Sequence, residues 1–154
     1  MSDIEQYLLD RAQISDVITS FAIALDTRNW VLFRTLLAES VEIDYPQSVG
    51  VATFTADELR ATATGFFGRL DATQHISANH LITIDGDTAT CTSTLHAQHY
   101  LASAAPNTVQ RQIGYYTNEL QRFGDGWRIT KSRQDVGWQD GNNDVFLHAA
   151  GAFA

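Results

Sequence analysis

The stretch "LITIDGDTATCTSTLHAQHYL", residues 81–101, decides the fold. Isoleucines alternate before the turn "DGD" at 85–87, and a Thr-rich segment, 88–102, continues beyond it. Alternation on both sides of an Asp-Gly turn is the pattern of paired antiparallel strands. The first strand reads back to residue 73. Downstream, a loop around Pro106 leads to segment 109–123. A second turn, "GDG" at 124–126, leads to a last strand at 127–134.

The chain before residue 72 has a different period. Ile4, Tyr7, Leu8, Ile14, Val17, Ile18, Phe21, Ala22 and Leu25 recur at three- and four-residue spacings and predict a helix over 3–26, capped by Ser2 or Asp3. "RNWVLFRTLLA" reads as a shorter second helix with Trp30, Phe33 and Leu37 on one side. "VEIDYP" alternates as a short strand ended by Pro46. "FTADELRATATGFFGRL" reads as a third helix, with Thr55 and Glu58 at capping-box spacing. The tail 135–154 holds Trp138, Phe146, Leu147 and Phe153, too many apolar residues for a solvated end. Helices followed by hairpin-linked strands imply an α+β fold: three N-terminal helices packed on a curved, mainly antiparallel sheet, with a pocket at the mouth. The length of 154 residues fits a single domain over 1–154.

Bulk composition narrows the function. A formal net charge of −8, without a Lys/Arg cluster, argues against nucleic acid and against an anionic membrane surface. The lone Cys91 allows no internal disulfide, and no apolar run approaches transmembrane length. A cytoplasmic protein is the expectation. No P-loop, GxGxxG, G-x-S-x-G or HExxH motif is present, so neither cofactor nor metal is expected.

Candidate chemistry begins in "FAIALDTRNW", residues 21–30. Asp26 continues the apolar stripe of the first helix. It is either a helix-end charge capping the next helix or an inward carboxylate, which would need a partner. On the strand 88–102, His99 shares a face with Ala89, Cys91, Leu95, Ala97 and Leu101, whereas His96 falls on the threonine face. His99 is therefore expected inward, as a satisfied core histidine or a reactive one. For a continuous strand over 73–84, Ile76, Ala78, Ile82 and Ile84 define the apolar face, which places His75 opposite.

The combination "FAIALDTRNW", "VEIDYP", "ATQHIS", "AQHY" and "GDGWRI", in that order, resembles the SnoaL-like group of the NTF2-like superfamily, which includes scytalone dehydratase, a hexachlorocyclohexane dehydrochlorinase and a bile-acid dehydratase. The resemblance implies a cone-shaped barrel around a deep apolar pocket and metal-free acid–base chemistry on a small molecule. It implies that Asp26 orients His75, the proton-transferring base, and that His99 and Tyr45 complete the catalytic set. Phe21, Leu25, Trp30, Tyr116 and Arg122 are expected to contact substrate. Leu25 stands where scytalone dehydratase has a tyrosine, and Gly114 and Tyr116 where it has serine and asparagine, so scytalone is not the expected substrate. The expected reaction is proton abstraction beside a carbonyl, then β-elimination or double-bond migration on a small, cyclic, largely apolar carbonyl or hydroxy compound. The alternatives are a polyketide-type cyclase and a non-catalytic binding or subunit-assembly module. A homo-oligomer, dimer or trimer, is expected from the apolar sheet face.

Overall fold

The structure, a computed structural model, describes residues 2–151. Helix α1 spans Asp3–Asp26, and Ser2 and Glu5 form its capping box. Two backbone donors are thereby satisfied at its start. Helix α2, Trp30–Thr35, is shorter than the sequence pattern implies. Strand β1, Leu37–Tyr45, takes the residues that continue the helical pattern, because Leu37 pairs in parallel with Ile129. Tertiary pairing overrides local helix preference there. The edge strand β2, Gly50–Thr55, was not legible in the sequence and pairs antiparallel with β1. Thr55 and Glu58 then form the expected capping box of α3, Ala56–Phe67.

The expected strand 73–84 is two strands, β3 (Ala72–Ile76) and β4 (Leu81–Asp85). Both pair with β5, Thr88–Tyr100. The break at 77–80 switches the inward parity: Thr73 and His75 face in on β3, and Ile82 and Ile84 face in on β4. This corrects the parity argument that turned His75 outward. Strands β6 (Val109–Phe123) and β7 (Gly126–Gly141) complete the sheet, and β7 runs well past the expected end at residue 134. The tail then forms α4, Asn143–Ala149, which buries Val145 and Ala149; Phe153 lies outside the described residues.

The sheet order is β2-β1-β7-β6-β5-β3, with β4 also on β5. The β1–β7 pair is parallel and the others antiparallel. The sheet curls without closing, so the expected barrel is an open half-cone with α1 and α3 on its concave side. A bulge between β6 and β7 at Ile113/Gly114 sharpens the curl. A Cβ at Gly114 would lie 2.0 Å from the Asp135 carbonyl oxygen, so only glycine fits.

The main core joins Ile14, Ile18 and Leu25 of α1 to Phe33, Val41, Leu120 and Ile129. A second cluster packs Val145 and Ala149 of α4 against Leu70 and Leu101. Among the described residues, no helix is long and apolar enough to cross a membrane.

Candidate active site

Asp26 is the last residue of α1. Arg28 follows in a left-handed conformation, φ 57°, and folds its side chain back on the helix end. Its Nη1 donates to the Leu25 carbonyl at 2.6 Å and to Thr73 Oγ1 at 2.9 Å. Thr73 Oγ1 in turn donates to Asp26 Oδ1 at 3.0 Å. Strand β3 thus presents both Thr73 and His75 to the aspartate.

The carboxylate meets His75 at two points. Oδ1 is 2.7 Å from the ring Nδ1, and Oδ2 accepts the His75 backbone N–H at 2.7 Å. Burial alone would raise the Asp26 pKa. Bonds from the His75 ring and backbone, its charge and the Thr73 hydroxyl outweigh that and hold Asp26 below the usual carboxylate range. An ionised carboxylate only accepts, so it fixes the proton of neutral His75 on Nδ1 and leaves Nε2 as a bare lone pair. Among the described residues Nε2 has no hydrogen-bond partner, although the side chain is only 6% exposed.

His99 enters from β5, 2% exposed, with its ring centroid 5.7 Å from that of His75 in an edge arrangement. Phe66, Phe67 and Phe146 surround it. Burial first, and the neighbouring His75 second, lower its pKa to about 4. It is therefore neutral at physiological pH.

Tyr45 and Tyr116 lie across the cavity with ring centroids 6.3 Å apart. Tyr45 Oη is 2.9 Å from Ser132 Oγ; burial outweighs this bond and pushes the phenol up to about 12. Burial, and then Tyr45 nearby, raise Tyr116 as well, and Gln134 Nε2 reaches its oxygen at 3.5 Å. Both phenols are protonated at neutral pH and are donors by charge state.

His75, His99, Tyr45 and Tyr116 line a cavity of about 150 Å³ together with Phe21 and Leu25, while Asp26 stands behind His75, outside the lining. The cavity walls are otherwise mainly aromatic and aliphatic, and among the described residues no Lys or Arg side chain lines them. Two of the expected contacts lie elsewhere. Trp30 packs edge-on against Phe33 behind the wall. Arg122 is held by Asp10 and Asp87 and stacks over Trp127, at a site outside the cavity lining. The buried Asp10 accounts for it: a carboxylate 2% exposed needs a cationic partner. The sets Asp10–Arg122–Asp87 and Asp44–Arg133–Asp135 both stand outside the cavity, so neither serves pocket chemistry.

Thr73, Gln110, Gln112, Ser132 and Gln134 are the polar residues that the sequence reading passed over. Parity with Tyr116 identifies Gln110 and Gln112 on β6; Ser132 and Gln134 share the inward face of β7. Among the described residues, no three His, Cys, Asp or Glu side chains converge as a metal site.

The fold recurs in solved structures. A protein of Kribbella flavida superposes with TM-score 0.86 at 26% identity, covering 91% of this chain and 98% of its own. A candidate scytalone dehydratase of Novosphingobium aromaticivorans gives TM-score 0.79 at 19% identity, covering 90% and 91%. A hexachlorocyclohexane dehydrochlorinase, LinA type 3, of Novosphingobium barchaimii gives 0.74 at 18%, covering 92% and 94%. At these identities the last two are alike in fold. No curated protein matches the sequence significantly. Residues 6–133 match the family model described as the SnoaL-like domain, which spans most of the chain and all the strands that carry the two histidines and two tyrosines. The chain belongs to the SnoaL-like domain family.

Proposed function

We propose that this protein is a cofactor-independent acid–base lyase or isomerase acting on a small, largely apolar cyclic carbonyl or hydroxy compound. One observation carries the reading: His75, bonded to Asp26 at 2.7 Å through Nδ1, offers an unpartnered Nε2 at an apolar cavity. Imidazole accepts protons at neutral pH, and a carboxylate on its other nitrogen stabilises the imidazolium that forms.

In this mechanism His75 Nε2 removes a proton from the carbon beside a carbonyl. The carbon–hydrogen electron pair moves into the enolate, and the carbonyl oxygen gains negative charge. Tyr116 and Tyr45, protonated donors in a mainly apolar wall, stabilise that oxygen. The enolate then collapses in one of two ways. A β-hydroxyl leaves as water with the proton carried by His75, or a β-halide leaves as the anion. Alternatively, the proton returns at another carbon and the double bond has moved.

Proteins of the same fold described as a candidate dehydratase and a dehydrochlorinase favour an elimination. A polyketide-type cyclisation would use the same base, and product analysis separates ring closure from loss of water. The cavity shared by His75 and His99 disfavours a purely non-catalytic assembly module, which has no use for it. Tyr115 and Trp138, both more than half exposed on the outer face of β6 and β7, suit a homo-oligomer. Sedimentation of the Trp138→Glu variant tests the assembly: a dimer or trimer is expected to dissociate.

The test of the chemistry is deuterium exchange at the α-carbons of a panel of cyclic ketones and β-hydroxy ketones, followed by NMR in D2O. The protein is expected to accelerate exchange and His75→Ala to abolish it. No exchange across the panel, or undiminished exchange in His75→Ala, refutes the reading.

A further inference from the structure

His99 has its own hydrogen-bond chain, separate from the Asp26–His75 pair, and the direction of that chain is fixed. Gln110 lies opposite His99 in the β5–β6 register. Its side chain, 2% exposed, spans from His99 to the backbone. Nε2 of Gln110 donates to the Arg111 carbonyl oxygen at 3.3 Å, and Gln139 Oε1 lies 3.5 Å away. A backbone carbonyl only accepts, so the amide nitrogen belongs on that side. The amide oxygen then faces His99 Nδ1, at 2.9 Å. An amide oxygen also only accepts, so Nδ1 of the neutral ring carries the proton. Nε2 is left as a lone pair. It has no partner among the described residues, and the ring lines the cavity. The bulge that puts Gly137 between Val136 and Trp138 brings Gln139 into this chain, because it reverses the inward parity of β7.

We infer that His99 is a fixed hydrogen-bond acceptor for a ligand hydroxyl, that Gln110 is the positioning residue that makes it one, and that the cavity selects uncharged single-ring compounds bearing a hydroxyl group. Three observations converge. The bare Nε2 is an acceptor, and the rings packed around His99, those of Phe66, Phe67, Phe146 and His75, offer it no hydroxyl or amide donor. No cationic side chain lines the walls and Asp26 lies behind His75, so an anionic ligand finds repulsion without compensation. A volume of about 150 Å³ matches one six-membered ring, the size at which an apolar cavity takes up benzene. His99 therefore does not donate to a substrate carbonyl in the resting site. That work falls to the tyrosines, and His99 holds a hydroxyl at the far end of the ring.

The inference deepens the proposed function and rests on the same cavity, but it is read by binding without turnover. The probes are phenol and toluene, nearly equal in shape and differing in the donor. Long-range 1H–15N NMR of the wild-type protein near pH 7 is expected to show His99 protonated at Nδ1. Phenol is expected to shift the His99 Nε2 resonance, and toluene to leave it in place. Calorimetric Kd values give a phenol-to-toluene preference. That preference is expected to fall about 3- to 10-fold in Gln110→Met, the range of one neutral hydrogen bond. It is expected to persist in His75→Gln, in which the other imidazole is absent.

A His99 ring protonated at Nε2, or phenol binding that leaves its Nε2 unmoved, overturns the inference from the wild-type spectra alone, whether or not Gln110→Met folds. A preference unchanged in a folded Gln110→Met overturns the role of Gln110. If deuterium exchange survives in His75→Ala while the phenol signature stands, the acid–base reading alone has failed.

Discussion

Asp26 holds His75 by ring and backbone together: Oδ1 takes the ring Nδ1 and Oδ2 the main-chain N–H, each at 2.7 Å. The second bond locks the strand residue itself to the helix end, so the ring cannot drift without unpairing the backbone. Orientation of the His75 imidazole is built into the α1–β3 contact.

Asp26→Asn keeps the size and removes the charge. The amide no longer stabilises an imidazolium and can present NH2 where Nδ1–H needs an acceptor. Deuterium exchange of a turned-over ketone is expected to fall roughly 10²- to 10⁴-fold, with ligand binding retained. An NMR rate comparison at equal folded fraction checks it. Near-normal exchange would mean that the carboxylate is only a structural tie.

Thr73→Val tests the support behind the pair. The variant removes the donor to Asp26 Oδ1 and the acceptor of Arg28 while keeping the β-branched shape. Loss of one such bond is expected to slow exchange about 3- to 10-fold and to change its pH profile, whereas a purely structural role would change only the melting temperature.

Acid stability follows from His99. Its folded pKa, about 4, lies below the unfolded value near 6.5, because burial disfavours the charged ring. Between those values the unfolded chain binds the extra proton, so stability rises with pH across that window and is lost on acidification through it. The loss from this ring is on the order of 2–3 kcal/mol by pH 4. Asp26, whose pKa is depressed, adds a further loss as pH falls through its own range. Denaturant melts from pH 7 to 4 are expected to show this slope for the wild type and a flatter one for His99→Gln; equal slopes would assign the loss elsewhere.

Gly114→Ser puts a side chain at the β6–β7 bulge and is expected to fail on steric grounds. Its Cβ would meet the Asp135 carbonyl oxygen at 2.0 Å, a backbone contact that no rotamer relieves. Destabilisation of about 2–3 kcal/mol is expected, measured as a lowered urea midpoint. A variant as stable as wild type would show that the bulge opens freely.

Helices α1 and α3, the strands β5 and β6, the first half of β7 and the inward side of His99 were legible because each rests on local periodicity. The α1 stripe and the capping boxes at Ser2 and Thr55 depend on residues within one turn. The facing of β5 depends on simple alternation over an unbroken strand. Alternation misled at β3, because the break at 77–80 is a parity switch that the sequence carries without marking. The same holds for the β7 bulge, after which the exposed Gln139 comes to lie on the same side of the sheet as the buried Gln134. Arg122 was misplaced because its partner Asp10 lies 112 residues away, on a helix face that periodicity alone does not pair with β6.

The sequence by itself determined the class of fold, the passage from helices to hairpin-linked strands and the family, since these follow from local period, turn chemistry and a spread of short motifs. It left Asp26 between a surface cap and an inward carboxylate. Only the tertiary structure decided that question, by bringing β3 across the end of α1 so that Asp26 receives His75 and Thr73. It also decided which nitrogen of each histidine is free. A tautomer is set by the acceptor on the other side of the ring, here a carboxylate 49 residues away for His75 and an amide on the next strand for His99. No local pattern encodes such partners, because hydrogen-bond direction depends on where the chain returns in space.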